Sequence, residues 1–191
     1  MDTTTLVIAV VAAIIVFIVG GFLGVYFSRR QRTKRLQDKF GPEYDRMISE
    51  TKDQSKVEDE LEARMERVEA LDIQTLSDEQ KKHFAHQWQS TQAKFVDQPL
   101  IAIQEADQLI KEIMYEKGYP VEDFERRAAD ISVHFPDLVT NYRNLRDIVY
   151  KSENEDIDTE DLRQAILHSR SLFEELLGMD VHEYTDQKEK I

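Results

Sequence analysis

The chain of 191 residues carries 38 acidic and 25 basic side chains, a net charge of −13, and no cysteine. The lack of cysteine excludes disulfides, thiolate zinc sites and thiol nucleophiles. Setting aside Asp2 and five basic residues clustered before residue 36 leaves 37 acids against 20 bases over 36–191, which argues against nucleic acid as a partner and favours a basic protein surface.

Residues 6–27 contain 22 positions without a charge. At about 1.5 Å per residue a helix of that length covers about 33 Å, enough to cross a hydrocarbon core. A cleaved signal peptide would place positive charge before a shorter apolar run and close on a small-x-small site. Here only Asp2 precedes the run, and Val25, Tyr26 and Phe27 close it. The segment therefore reads as a retained transmembrane helix behind a short extracytoplasmic N-terminus at 1–5. Arg29, Arg30, Arg32, Lys34 and Arg35 follow it and no Lys or Arg precedes it, so charge asymmetry places the C-terminal side in the cytoplasm of a single-pass protein. This basic juxtamembrane segment, 28–41, sets topology and can meet anionic lipid headgroups. Gly20 and Gly24 have the small-xxx-small spacing through which two spans approach, the route to a homodimer.

Helical periodicity fills most of 42–177, and alternating strand patterns are nearly absent. The expected fold is all-α, a single N-terminal transmembrane helix followed by a soluble bundle of about six helices, with an acidic helical domain at 42–177 and a polar, mobile tail at 178–191. Helix one, 42–70, opens with Pro42 and has a sparse stripe of Tyr44, Met47, Ile48, Val57, Leu61, Met65 and Val68, its first half free to project as a stalk. Whether the span runs straight through Gly41-Pro42 into it is not decided by the pattern. Helix two is capped by Ser77, to which Gln80 can reach back, and puts Phe84, Trp88 and Phe95 on one face, Trp88 in the core. Helix three, 99–117, repeats Leu100, Ile103, Ala106, Ile110, Ile113 and Met114, and helix four, 121–131, repeats Val121, Phe124, Ala128 and Ile131. Helix five follows Pro136 with Leu138, Tyr142, Leu145, Ile148 and Val149. Helix six opens at a Thr159 cap, runs through Leu162, Ala165, Leu172, Phe173 and Leu176, and stops at Gly178. No period near 34 residues recurs, which argues against a tetratricopeptide array.

Chemistry-bearing patterns are few. Glu79, His83 and His86 share a helix face at i, i+4 and i+7, but lack the His pair at i, i+4 that zinc hydrolases use. Asn154, Asp156 and Asp158 resemble the start of a calcium loop, yet Thr159 stands where glycine is needed and Ala165 where a bidentate Glu is needed. There is no nucleophile elbow, glycine-rich phosphate loop or kinase signature. No catalytic, cofactor-binding or metal-ligating residue is therefore assigned, and the chain is not read as an enzyme. Tyr44, Arg46, Arg126 and Arg127 are candidates for a partner surface, although Arg126 can also pair with Glu122, and Arg127 with Asp123 or Asp130, within one helix.

The segments "RLQDKFGPEYDR", "VEDFERRAADISV" and "TEDLRQAILHSRSLFEELL" resemble a family of bacterial proteins with one N-terminal span, a helical domain and no established activity. The resemblance covers nearly all of 34–177 and implies a bacterial inner or plasma membrane location. It also implies that "FGPEYDR" and "RAAD" serve packing or a partner surface. Two positions depart from the family pattern: His134-Phe135 replaces an Asp-His pair before proline, and Ser169 replaces a Tyr after His168, so an acid-base role at the pair does not carry over. Residues and resemblance together lead to a membrane-tethered cytosolic module that binds another protein through a groove between helices. The alternatives are a ligand-binding or enzymatic domain with an interhelical pocket lined by Tyr119, Phe124, Tyr142 and Tyr150, and a self-associating membrane protein.

Overall fold

The computed structural model describes the backbone of 3–154 and 157–179 and the side chains of 17–151 and 157–179. The first half of the expected span, 6–16, is thus described in backbone alone, and the tail from 180 lies outside the described residues, as does Asp156 of the acidic turn. Among the described residues there are eight helices and no strand: α1 (Thr3–Phe40), α2 (Pro42–Thr51), α3 (Gln54–Glu69), α4 (Asp78–Phe95), α5 (Pro99–Glu116), α6 (Phe124–His134), α7 (Val139–Asn154) and α8 (Thr159–Leu177). The all-α class holds. Among the described residues no helix is long and apolar enough to cross a membrane.

Two apolar clusters organise the chain. The larger joins α4 to α8, with α5 packed on α4, α7 and α8. Its centre holds Trp88, stacked on Phe173 at 4.7 Å between ring centroids, with Ile103, Ile110, Ile113, Tyr142 and Leu145 around it. The spacing of the apolar stripes dictates this packing, because each helix turns one face inward every 3.6 residues. The smaller cluster brings Leu36 and Phe40 of α1 against Tyr44 and Met47 of α2, Val57, Leu61 and Val68 of α3, and Val133 of α6.

The region read as one helix over 42–70 is two helices, and neither projects as a stalk. Lys52 closes α2 in the left-handed conformation at φ 55°, its N–H donating to the Ile48 carbonyl, and the Asp53 carboxylate caps α3 by accepting from the Lys56 N–H. The chain reverses there, and α3 folds back along α1. At the preceding break Gly41 takes φ 44°, and Pro42, without an N–H to satisfy, opens α2. The helix from the apolar segment therefore ends at Phe40 and does not run through Gly41-Pro42. At the far end, Asp158 rather than Thr159 occupies the cap position of α8 and makes no side-chain cap bond.

α3 has few apolar residues and is held by charge. Glu43, 1% exposed, accepts from Arg46 Nε (2.8 Å) and Nη2 (2.8 Å) and from Arg64 Nη1 (2.9 Å), with Arg143 Nη2 at 3.5 Å. One carboxylate thus ties α2, α3 and α7. Arg67 binds the buried Asp130 of α6 at 2.7 and 2.9 Å. Burial pushes the Glu43 carboxyl up, but the hydrogen bonds from Arg46 and Arg64 and the charges of Arg46 and Arg143 outweigh it and hold it below its ordinary value.

A folded-state value below the unfolded value means that Glu43 stabilises the fold fully above about pH 4.5 and loses that contribution as pH falls through its lowered value. Glu43→Gln leaves Arg64 with only the half-exposed Glu60 at 3.0 Å as counter-charge and should cost about 3 kcal/mol at neutral pH. Thermal unfolding of the full chain in detergent should show this loss, and the difference from wild type should shrink below about pH 4.5.

Candidate functional site

An opening with an apolar floor lies at the domain surface between α4 and α5. The capping box of Ser77 and Gln80 fixes where α4 starts, with the Gln80 N–H donating to Ser77 Oγ and the Ser77 N–H to Gln80 Oε1. Gly118 fixes where α5 stops: at φ 93° its N–H reaches the Tyr115 carbonyl while the Tyr119 N–H reaches that of Met114. A Cβ there would lie 2.5 Å from the Asp72 carbonyl oxygen, so only glycine lets the α3–α4 connection cross the end of α5.

Between these ends is an open groove of about 720 Å³. Phe84, Tyr115 and Val121 supply apolar surface, Tyr115 being 67% exposed. Glu79, Glu112 and Glu116 form its rim. Gln80 donates to Glu116 at 2.8 Å and Gln108 to Glu112 at 3.1 Å, which orients both carboxylates without neutralising them. Lys111, the basic residue at the edge, is 2.5 Å from the buried Asp107. The groove is therefore apolar at its base and negative at its margin. His83 also lines it, while His86 is exposed on α4 outside it. Among the described residues no three His, Cys, Asp or Glu side chains gather in a way that could hold a metal.

The basic segment is divided in two. Arg32 and Arg35 turn onto α3: Arg32 Nη2 lies 2.7 Å from Asp59 and 2.8 Å from Glu62, and Arg35 Nη2 lies 2.7 Å from Glu62. Glu58, beside Arg32 Nε at 3.7 Å, also accepts from Thr33 Oγ1 at 2.6 Å and Gln54 Nε2 at 2.7 Å. Arg29, Arg30 and Lys34 are exposed. Arg29 and Arg30 border a second cleft, of about 950 Å³, whose other wall is the α2–α3 turn at 52–55.

Two of the four residues expected on a partner surface are inside the protein. Tyr44, 3% exposed, donates its hydroxyl to Glu58 at 3.3 Å. Arg127, 4% exposed, donates to the Tyr142 hydroxyl and the Val121 carbonyl and lies 5.8 Å from the ring centres of Phe124 and Tyr142, rather than pairing with Asp123 or Asp130. The acidic neighbours point elsewhere, Asp123 to the cap of α6 and Asp130 to Arg67. Arg46 is half-buried between Glu43 and Glu50, and Arg126 is exposed. All of "RAAD" is buried, whereas "FGPEYDR" buries Phe40, Glu43 and Tyr44 and leaves Pro42 and Asp45 exposed. Gly20 and Gly24 have open space where a Cβ would stand.

The aromatics proposed for an internal pocket do not frame one. Tyr142 is fully buried against Phe124, and burial pushes its hydroxyl up to about 12 although Arg127 opposes the shift. The Tyr119 hydroxyl, also pushed up to about 12 by burial, lies 2.6 Å from His134 Nδ1. Partial burial, helped by Lys39 and Lys117, lowers the pKa of the His134 ring, which shares this hydrogen bond while its outer edge is exposed. Tyr150 is 64% exposed.

Glu112, Tyr115 and Glu116 were missed by sequence reasoning because a solvated helix face has the same composition. Tyr115→Ser should change unfolding free energy by less than about 0.5 kcal/mol, as for an exposed site. Trp88→Ala should cost about 3–5 kcal/mol by opening a cavity beside Phe173. Chemical unfolding of both variants checks this contrast, which separates a surface kept for contact from one kept for packing. No family model, no curated protein and no solved structure matches the chain.

Proposed function

We propose that this chain is a single-pass membrane protein of the bacterial plasma membrane whose acidic helical domain, on the cytoplasmic side, docks a basic amphipathic segment of a partner protein in the α4–α5 groove. The groove carries the reading: three carboxylates rim an apolar floor that leaves Tyr115 largely exposed. A segment with aromatic or aliphatic residues on one face and Lys or Arg flanking them complements both parts. Support for the anchor comes from the uncharged run at 6–27 and its continuation in α1, where Phe17, Phe22 and Phe27 are 84, 74 and 58% exposed. Side chains of that size are costly to leave in water and find cover in a bilayer. The charge asymmetry across the run supports the cytoplasmic side for the domain. The bacterial setting rests on the motif resemblance.

A photoreactive side chain at position 115 of the full-length protein, irradiated in cells, tests the docking. The expected product is an adduct with a protein through a basic segment, lowered about tenfold by Glu112→Lys with Glu116→Lys and weakened by rising salt in isolated membranes. Adducts insensitive to charge reversal, or formed only between copies of this chain, contradict the reading.

A further inference from the structure

We propose that the cleft between α1 and the α2–α3 turn binds the phosphate of an anionic phospholipid through Arg29, Arg30 and Lys52. The inference rests on the membrane reading above and assigns a specific lipid site within it.

Arg29 and Arg30 form one wall of the 950 Å³ cleft and Lys52 stands on the other, 22 residues after Arg30 in the sequence and brought there by the reversal between α2 and α3. The acids nearby are already engaged. Glu58 takes Thr33 and Gln54 and faces Arg32, while Asp53 caps α3 and has Lys56 Nζ at 3.5 Å. Among the described residues, the side chains of Arg29, Arg30 and Lys52 have no hydrogen bond or ion pair, and all three are exposed. Three uncompensated cations thus face one cleft of a chain that holds 38 acids against 25 bases.

A phosphate diester fits this set, since guanidinium forks bind two of its oxygens at once and an ammonium adds a third donor. Position selects a lipid as its source. Tyr26 lies at the cleft's edge, one helical turn after the exposed Phe22 and Leu23. A headgroup in the cleft therefore has its glycerol and acyl chains beside an amphipathic ring and then an apolar helix surface, the arrangement of an interfacial aromatic anchor.

The test uses full-length protein in phosphatidylcholine nanodiscs with a minority of phosphatidylglycerol, read by native mass spectrometry of retained lipids. Wild type should retain phosphatidylglycerol over phosphatidylcholine, and Lys52→Gln should lower that retention about fivefold. Lys34→Gln removes the same charge from an exposed collar residue that does not line the cleft, and should change retention less than about twofold. Equal losses in the two variants, or no preference for the anionic lipid, overturn the site. Release of phosphatidylglycerol by excess inorganic phosphate overturns the lipid as its ligand. Alkaline carbonate extraction of cell membranes distinguishes the two readings. A chain washed off by carbonate defeats the membrane assignment itself, whereas a retained chain without Lys52-dependent binding defeats the lipid site alone.

Discussion

Three helices, α2, α3 and α7, meet at the Glu43 carboxylate. It is closed from solvent, and three guanidinium groups from α2, α3 and α7 converge on it. A buried charge is costly unless its lone pairs are filled, and here they are filled by donors from separate helices. Arg64 reaches the Glu43 carboxylate with one nitrogen at 2.9 Å, which sets the register of α3 against α2, while Arg143 of α7 stands farther off at 3.5 Å. An apolar contact of the same area would hold these helices together without selecting that register. With only Val57, Leu61, Met65 and Val68 to bury, α3 depends on this charge-directed placement.

That placement governs how the domain meets the segment before it. Once α3 is seated, its outer face presents Glu58, Asp59 and Glu62 to Arg32 and Arg35, while Leu36 and Phe40 enter the apolar cluster beneath. The end of α1 is therefore part of the domain, and no flexible linker separates the apolar run from the bundle. In the proposed function this matters directly. A groove on a loose tether would sample many orientations, whereas a groove on a rigid extension of the span has a defined height and direction above the bilayer. Its partner is then recognised partly by where on the membrane it presents its basic segment.

The bundle was largely legible because its stripes are dense. Ser77 with Gln80 announced α4, Pro99 announced α5, and the faces holding Trp88, Ile110 and Phe173 followed from the period alone. The break between α2 and α3 was not legible, since Lys52 adopts a left-handed conformation that glycine or asparagine ordinarily marks. The inward role of Arg32 and Arg35 was hidden for a different reason: their partners lie 27 to 30 residues away on a helix whose reversal the sequence did not signal. Glu43 sat within a recognised motif, yet one acid among 38 carries no mark of burial until the arginines that surround it are placed. The groove was unreadable for the converse reason, its carboxylates looking like any solvated helix face.

The most direct test of the account is the rigidity of the junction between α1 and the bundle. The chain has no cysteine, so Ser28→Cys with Ser171→Cys gives a clean pair of spin labels, one before the junction and one on an exposed position of α8. In nanodiscs, double electron–electron resonance should give a single narrow distance distribution that broadens when Glu43→Gln is added. A broad distribution in the otherwise wild-type protein would contradict the account, because the domain would then hang from α1 rather than continue it.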